Sequence, residues 1–421
     1  GTRAMLQVLN GAWALLLGMM LLQVGNGMQG TLLGIRGQIE GFSTIEMSLV
    51  MSGYFVGFLF GSRMAPEMIR RVGHVRVFAA LASMISAVMI LYPALTDPFA
   101  WGAGRILIGF CFSGVYVTAE SWLNNSATNE TRGQSLSLYM IVQMAGIVAA
   151  QFLLLVADPG GFILFIIPSV LVSLSFAPIL LSISPTPAFG STKPMTLREI
   201  LRISPLGCVG MFLLGGVFAA QFGMAAVFGA EAGLNVAQIS TFVATFYIGA
   251  LVLQYPIGWL SDRMDRRVLI FAAALLCGVG AMLGFLFSGY FAMLLVVAVI
   301  IGGTSNPLYS LLIAYTNDFL DHDDMAAASG GMVFINGLGA VAGPLVTGWA
   351  MGAIGPRGFF ALIGVLMLAM AGYAAYRMTQ RAAPSVDETE SYAPVAASSS
   401  HVAVEAAQEY AIESTQEESA A

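Results

Sequence analysis

Apolar runs of about 20 residues, broken by short polar segments, recur along the whole chain. A helix of that length crosses a hydrocarbon core of about 30 Å. In lipid the backbone must hydrogen-bond to itself, so each run is predicted to be a membrane-spanning helix. Twelve spans are expected, at 6–30, 47–65, 75–96, 99–124, 134–157, 161–183, 205–230, 236–260, 268–288, 290–317, 327–353 and 357–378. The first is too long and too marked by Gly and Gln for a cleaved leader. Segment 184–204 holds Pro185, Pro187, Gly190, Lys193 and Pro194, and it is the longest polar connection between spans. It divides the chain into a six-helix bundle over 1–183 and a second over 205–381, followed by a tail at 382–421.

The halves echo one another. Gly109, Tyr116 and Asn124 of span four recur as Gly302, Tyr309 and Asn317 of span ten, each pair 193 residues apart. Gln23 of span one recurs as Gln221 of span seven. Repeats of this kind suit alternating access, in which two similar bundles rock about a central site. The expected fold is therefore an all-α polytopic membrane protein built from two pseudo-symmetric six-helix bundles.

Composition changes the picture in two ways. With 58% hydrophobic and 10% charged residues, the chain has far fewer charges than a soluble enzyme, which carries about 25%. Of the 17 Lys and Arg, 14 fall in alternate gaps on one side of the spans, Arg36 and Arg357 fall on the other, and Arg105 lies inside a span. The positive-inside rule makes the rich side cytoplasmic and puts both termini there. The net charge of −6 comes from the tail, whose eight acids are matched by no Lys or Arg. Rich in Ala, Ser and Glu and poor in large apolar residues, the tail is expected to be disordered. Cys111, Cys208 and Cys277 show neither metal-site nor disulfide spacing, and no nucleotide loop or nucleophile motif appears, so no cofactor, nucleic-acid partner or enzymatic activity is expected.

Chemistry concentrates at Gly258-Trp259-Leu260-Ser261-Asp262-Arg263-Met264-Asp265-Arg266-Arg267, between spans eight and nine. Gly258 would let two helices approach closely. Asp262 could accept from the free N–H groups of a helix start, and Arg263, Arg266 and Arg267 could pair with acids or lipid phosphates. Together they would make a breakable latch, or serve as topology determinants alone. The stretch resembles the cytoplasmic-loop signature of the major facilitator superfamily, and the resemblance covers 6–378. The first-half copy keeps Gly61, Arg70 and Arg71 but has Ala65 where the aspartate belongs, with Glu67 nearby.

Within span four, Gly102-Ala103-Gly104-Arg105 resembles the family's Arg-plus-Gly motif, which implies a role for Arg105 in proton coupling; snorkelling to the interface is the simpler alternative. Glu120, near the basic end of the span, could carry a proton or pair with Arg70, Arg71 or Arg132.

Amides and hydroxyls deep in the spans point to a central cavity. Since the resemblance implies that spans one, four, seven and ten line the path, the candidate lining is Gln23, Asn26, Tyr116, Gln221, Asn306 and Tyr309. A set without fixed charge suits a neutral, planar, polar solute. The run Tyr116 to Asn124, followed by Thr131-Arg132-Gly133 and Tyr139, is similar to a bacterial branch that includes riboflavin importers. The resemblance implies a monomeric, proton-coupled carrier of a small molecule such as riboflavin, surrounded by lipid in the bacterial inner membrane. Two rivals stay open: a proton-coupled exporter of drugs or metabolites, and a non-transporting sensor or scaffold acting through its tail.

Overall fold

The structure, a computed structural model, describes residues 2–182 and 195–421. Among the described residues, twelve helices are long and apolar enough to cross a membrane: Thr2–Ile39, Thr44–Val72, His74–Ala94, Pro98–Ser126, Arg132–Leu153, Ile163–Leu181, Pro205–Glu231, Val236–Ser261, Arg266–Leu286, Phe291–Asn317, His322–Ile354 and Gly358–Met378. They are numbered below as spans one to twelve. Most of the expected 184–204 connection, up to Pro194, lies outside the described residues; its remainder holds the short helix Leu197–Ile203.

Local chemistry sets several helix starts. Ser43 and Glu46 form a reciprocal capping box ahead of span two, and Asn235 and Gln238 form another ahead of span eight. Asp97 accepts from the N–H groups of Phe99 and Ala100 at the start of span four, where Pro98 needs no partner for its nitrogen. Span one runs past the expected end at residue 30 to Ile39. Its last turn is held by Arg36, which pairs with Glu40 at 2.7 Å and donates to the carbonyl of Gly161 at 2.6 Å. A paired arginine at the helix end lets the helix continue beyond the apolar stretch that hydropathy detects.

The repeat has a packing cause. A Cβ on Gly109 would sit 1.9 Å from the Tyr54 carbonyl oxygen, and one on Gly302 would sit 2.0 Å from that of Phe246. Spans two and four therefore cross backbone to backbone, and spans eight and ten repeat the crossing. Spans one and five pair through Gly27 and Gly146, and spans seven and eleven through Gly215 and Gly339. Small residues let helices approach closely where lipid offers no hydrophobic drive to association.

The halves join at the end bearing Arg36 and Arg357. There a Cβ on Gly34 of span one would lie 2.8 Å from Ala226 of span seven, and one on Gly348 of span eleven 2.3 Å from Ser48 of span two. Thr44 donates to Glu231 across the same junction. Toward the basic end Arg63 of span two lies over Phe334 of span eleven, 4.1 Å to the ring centroid, and the tail packs against both halves.

This overturns the expectation of a disordered tail. Residues 386–388 form a single helical turn, and His401–Ala420 form a helix packed against spans four, five and eleven. Tyr392, Val395, Val402 and Val404 are buried. Composition suggested disorder because few large apolar residues are present. The tail needs few, because it fits a groove that the spans already build and satisfies its backbone there.

Candidate functional site

Between the halves lies a cavity of about 550 Å³, lined by Tyr54, Phe55, Phe58, Phe218, Phe222, Tyr309 and Asn336, with Ala397–Ser399 of the tail on its basic side. Span two supplies Tyr54, Phe55 and Phe58 from one face, and span seven supplies Phe218 and Phe222, one turn apart. The Phe218 and Phe222 rings stack at 5.7 Å, and Tyr54 leans on Phe222 at 5.5 Å. Span seven widens into a π turn at Ala220–Met224, which carries Gln221 and Phe222. Single π turns of this kind recur at functional sites.

Of the six lining candidates, Tyr309 reaches the cavity. The others sit behind its wall and bond to one another. Gln23 donates to the Tyr116 hydroxyl at 2.8 Å, and Asn26 donates to the hydroxyls of Tyr116 and Tyr54, both at 3.1 Å. Gln221 donates to Ser305 at 2.6 Å, and Asn306 donates to the Gly302 carbonyl at 2.8 Å. The network orients Tyr54, which is itself a wall residue. The aromatic wall escaped the sequence reading because phenylalanine in a span reads equally as lipid-facing or as packing. The available signal was the spacing of Tyr54 with Phe58 and of Phe218 with Phe222, each four apart on one helix face.

Arg105 does not snorkel. It is wholly buried, and its guanidinium lies 4.7 Å over the Tyr54 ring. None of its three nitrogens has a hydrogen-bond partner among the described residues. An arginine held this way behind the cavity wall carries a positive charge that the described residues leave without a counter-ion.

Glu120 does not pair with Arg70, Arg71 or Arg132. Its carboxylate accepts from the Ser400 N–H at 2.9 Å, the Ser400 hydroxyl at 2.7 Å, the Ala403 N–H at 3.3 Å and the Tyr139 hydroxyl at 2.8 Å. Arg132 turns instead to Glu409 and Glu413 of the tail, at 3.2 and 3.6 Å.

The residues expected to form a latch gather around Arg266, which is buried and pairs with Asp318 at 2.6 Å and Asp262 at 3.2 Å. Burial pushes the Asp318 carboxyl up to about 6, with Arg266 pulling the other way. Besides the Arg266 side chain, Asp262 accepts from the Tyr392 N–H of the tail at 2.7 Å rather than from the N–H groups of a helix start. Gly258 likewise faces the tail, since a Cβ there would sit 2.7 Å from the Tyr392 ring. Arg267 turns to Asp265 at 3.3 Å, and Arg263 lies over Trp259 at 4.2 Å. In the first half, Gly61 makes the close helix approach, 2.5 Å from Cβ to the Phe110 carbonyl, and Ala65 is buried where the aspartate would stand. Glu67 faces solvent and pairs with Arg70 at 3.6 Å, an exposed contact worth little, and Arg71 is exposed.

Comparison with known proteins agrees with this architecture. The family described as Major Facilitator Superfamily matches residues 206–406, and that described as Sugar (and other) transporter matches residues 13–186. The chain is 27% identical over 351 residues to YcaD of Escherichia fergusonii, described as an uncharacterized MFS-type transporter; the match covers 80% of this chain and 88% of that one. A Yersinia pestis protein with the same description is 26% identical over 345 residues, with the same coverage. Among solved structures, those of the nucleoside transporter NupG superpose with TM-scores of 0.73 and 0.68 at 14% identity, covering 86% and 88% of this chain and 98% of the NupG chain in each case. Twelve spans, and transporter-family matches across both halves, make the chain similar to the major facilitator superfamily of secondary transporters, whose fold it shares.

Proposed function

We propose that the protein carries a small, neutral, planar heteroaromatic solute across the bacterial inner membrane, with its basic face and both termini in the cytoplasm. The aromatic wall of the cavity carries this reading. Tyr54, Phe218 and Phe222 offer ring faces, Tyr309 and Asn336 offer a few hydrogen-bonding groups, and none of the described lining side chains is charged. Stacking on such rings favours a flat solute, and an uncharged lining disfavours an anion or a dication. A flavin such as riboflavin and a nucleoside both have this character; the resemblance of span four to riboflavin importers supports the first, and the NupG likeness is compatible with the second.

Coupling to a proton gradient is part of the proposal. Arg105, buried behind Tyr54, and Glu120, at the basic mouth of the path, are its two ionisable groups. The Arg266 cluster is the latch that opens and re-forms as the halves rock.

The test is a thermal-shift panel on the purified protein with riboflavin, uridine, adenosine and lipophilic cations. A ligand that binds only the folded state raises Tm by mass action. Stabilisation by riboflavin or the nucleosides, lost in Phe222→Ala, supports the reading. Stabilisation by unrelated cations alone would replace it with a multidrug exporter.

A further inference from the structure

The cavity described above has an occupant at its basic mouth that belongs to the same chain. We infer that residues 386–420 are an autoinhibitory plug, which enters the solute path from the cytoplasmic side and must leave before the carrier can turn over. The inference rests on reading the cavity as the transport path.

Three observations carry it. First, the plug reaches the site itself: Ala397, Ser398 and Ser399 line the cavity opposite Tyr54 and Phe222. Ser398 and Ser399 also meet the Gln143 amide of span five, at 3.4 and 3.2 Å. The stretch Ala396 to Ser400 has only small side chains, which is what a narrowing path admits.

Second, the plug bridges both halves through specific polar groups. On the first half, Ser400 and Ala403 satisfy Glu120. On the second half, the Glu390 N–H donates to Asp318 at 2.7 Å, Arg266 donates to the Glu390 carbonyl, and the Val395 N–H donates to Ser310 at 2.9 Å. Glu120 therefore spends most of its bonding capacity on the tail, and Asp262 and Arg266 each add one bond to the tail beside their own ion pair.

Third, the spans carry seats for its rings. Tyr392 rests on Gly258, and Tyr410 rests on Gly133, where a Cβ would lie 2.5 Å from the ring. The acidic helix then lays Glu409 and Glu413 against Arg132. Two glycine seats, one per half, and a matched charge argue for a built site.

The test uses the full-length chain and needs no substrate. Cysteines replacing Gln143 and Ser399 should cross-link under mild oxidation. In a separate variant, Ser62→Cys places a thiol on the cavity wall, and its labelling by a maleimide is timed. Adding Tyr392→Asp and Ser400→Pro, which remove a ring seat and a donor to Glu120, should speed that labelling by about tenfold or more, the factor by which the open population grows. Absence of the cross-link overturns the inference. A cross-link with unchanged labelling overturns it too, because the tail would then dock without closing the path. A panel in which neither riboflavin nor a nucleoside binds sinks the solute reading, and leaves the labelling result standing.

Discussion

The backbone of Gly109 lies against the carbonyl of Tyr54 so closely that a Cβ would stand 1.9 Å from the oxygen. Tyr54 is also a wall of the cavity and the ring beneath Arg105. The helix crossing therefore fixes both the site and the buried charge behind it.

Gly109→Val should destabilise the protein by about 1–3 kcal/mol or more, since overpacking against a main-chain oxygen has no flexible neighbour to move. Gly102, on the same helix, has no described atom within 4 Å of the place a Cβ would take. Gly102→Ala should be neutral or stabilising by up to about 1 kcal/mol through lost unfolded-state freedom. Thermal unfolding of the two purified variants decides; equal melting temperatures would mean that spans two and four are not in backbone contact.

Arg105 sets stability against function. A buried ion costs several kcal/mol in lost hydration, and one cation–π contact returns about 2. Arg105→Met should therefore raise Tm by about 2 °C or more, while uptake of the solute that the thermal panel identifies is lost. A lower Tm would show that the guanidinium is structurally compensated after all.

The docked tail should respond to pH in a direction that one histidine conceals. Burial, aided by Glu409, pushes the Glu405 carboxyl up to about 7, and Asp318 is raised to about 6. Glu405, on the tail itself, holds a proton better when docked, so it favours docking at acid pH and weakens it as pH rises through about 7, whereas the Glu390 N–H that docking brings to Asp318 favours the charged form there. Burial lowers His401 to about 4. Docking therefore requires it neutral, and acidification below its ordinary value of 6.5 opposes docking. In His401→Gln that opposing group is removed, and His322, 3.0 Å from Glu390 of the tail, stays in place. Cross-linking of Gln143→Cys with Ser399→Cys in that background should rise on going from pH 7.5 to 5.5; a fall would refute the assignment.

Hydropathy revealed the spans because each must hide its backbone from lipid, and the 193-residue echo revealed the paired crossings because Gly109 and Gly302 each admit a carbonyl. The site was less legible. Gln23, Asn26 and Tyr116 drew notice as polar residues in apolar spans, and they do meet, but as the support of Tyr54. Phe218 and Phe222 left no trace in composition, since their role comes from the π turn that carries the second ring. The tail was misread because its stability comes from Glu120, Gln143 and Asp262 on distant spans, and a local window contains none of them.

A tethered occupant also alters how affinity is measured. A segment on a short linker faces its site at an effective concentration in the millimolar range. A solute entering from the same side competes with that, and its apparent Kd is its intrinsic Kd divided by the fraction of carriers whose mouth is vacant. Ligand screens on the intact chain will therefore rank solutes correctly and report every one of them as weaker than the aromatic wall itself would hold it.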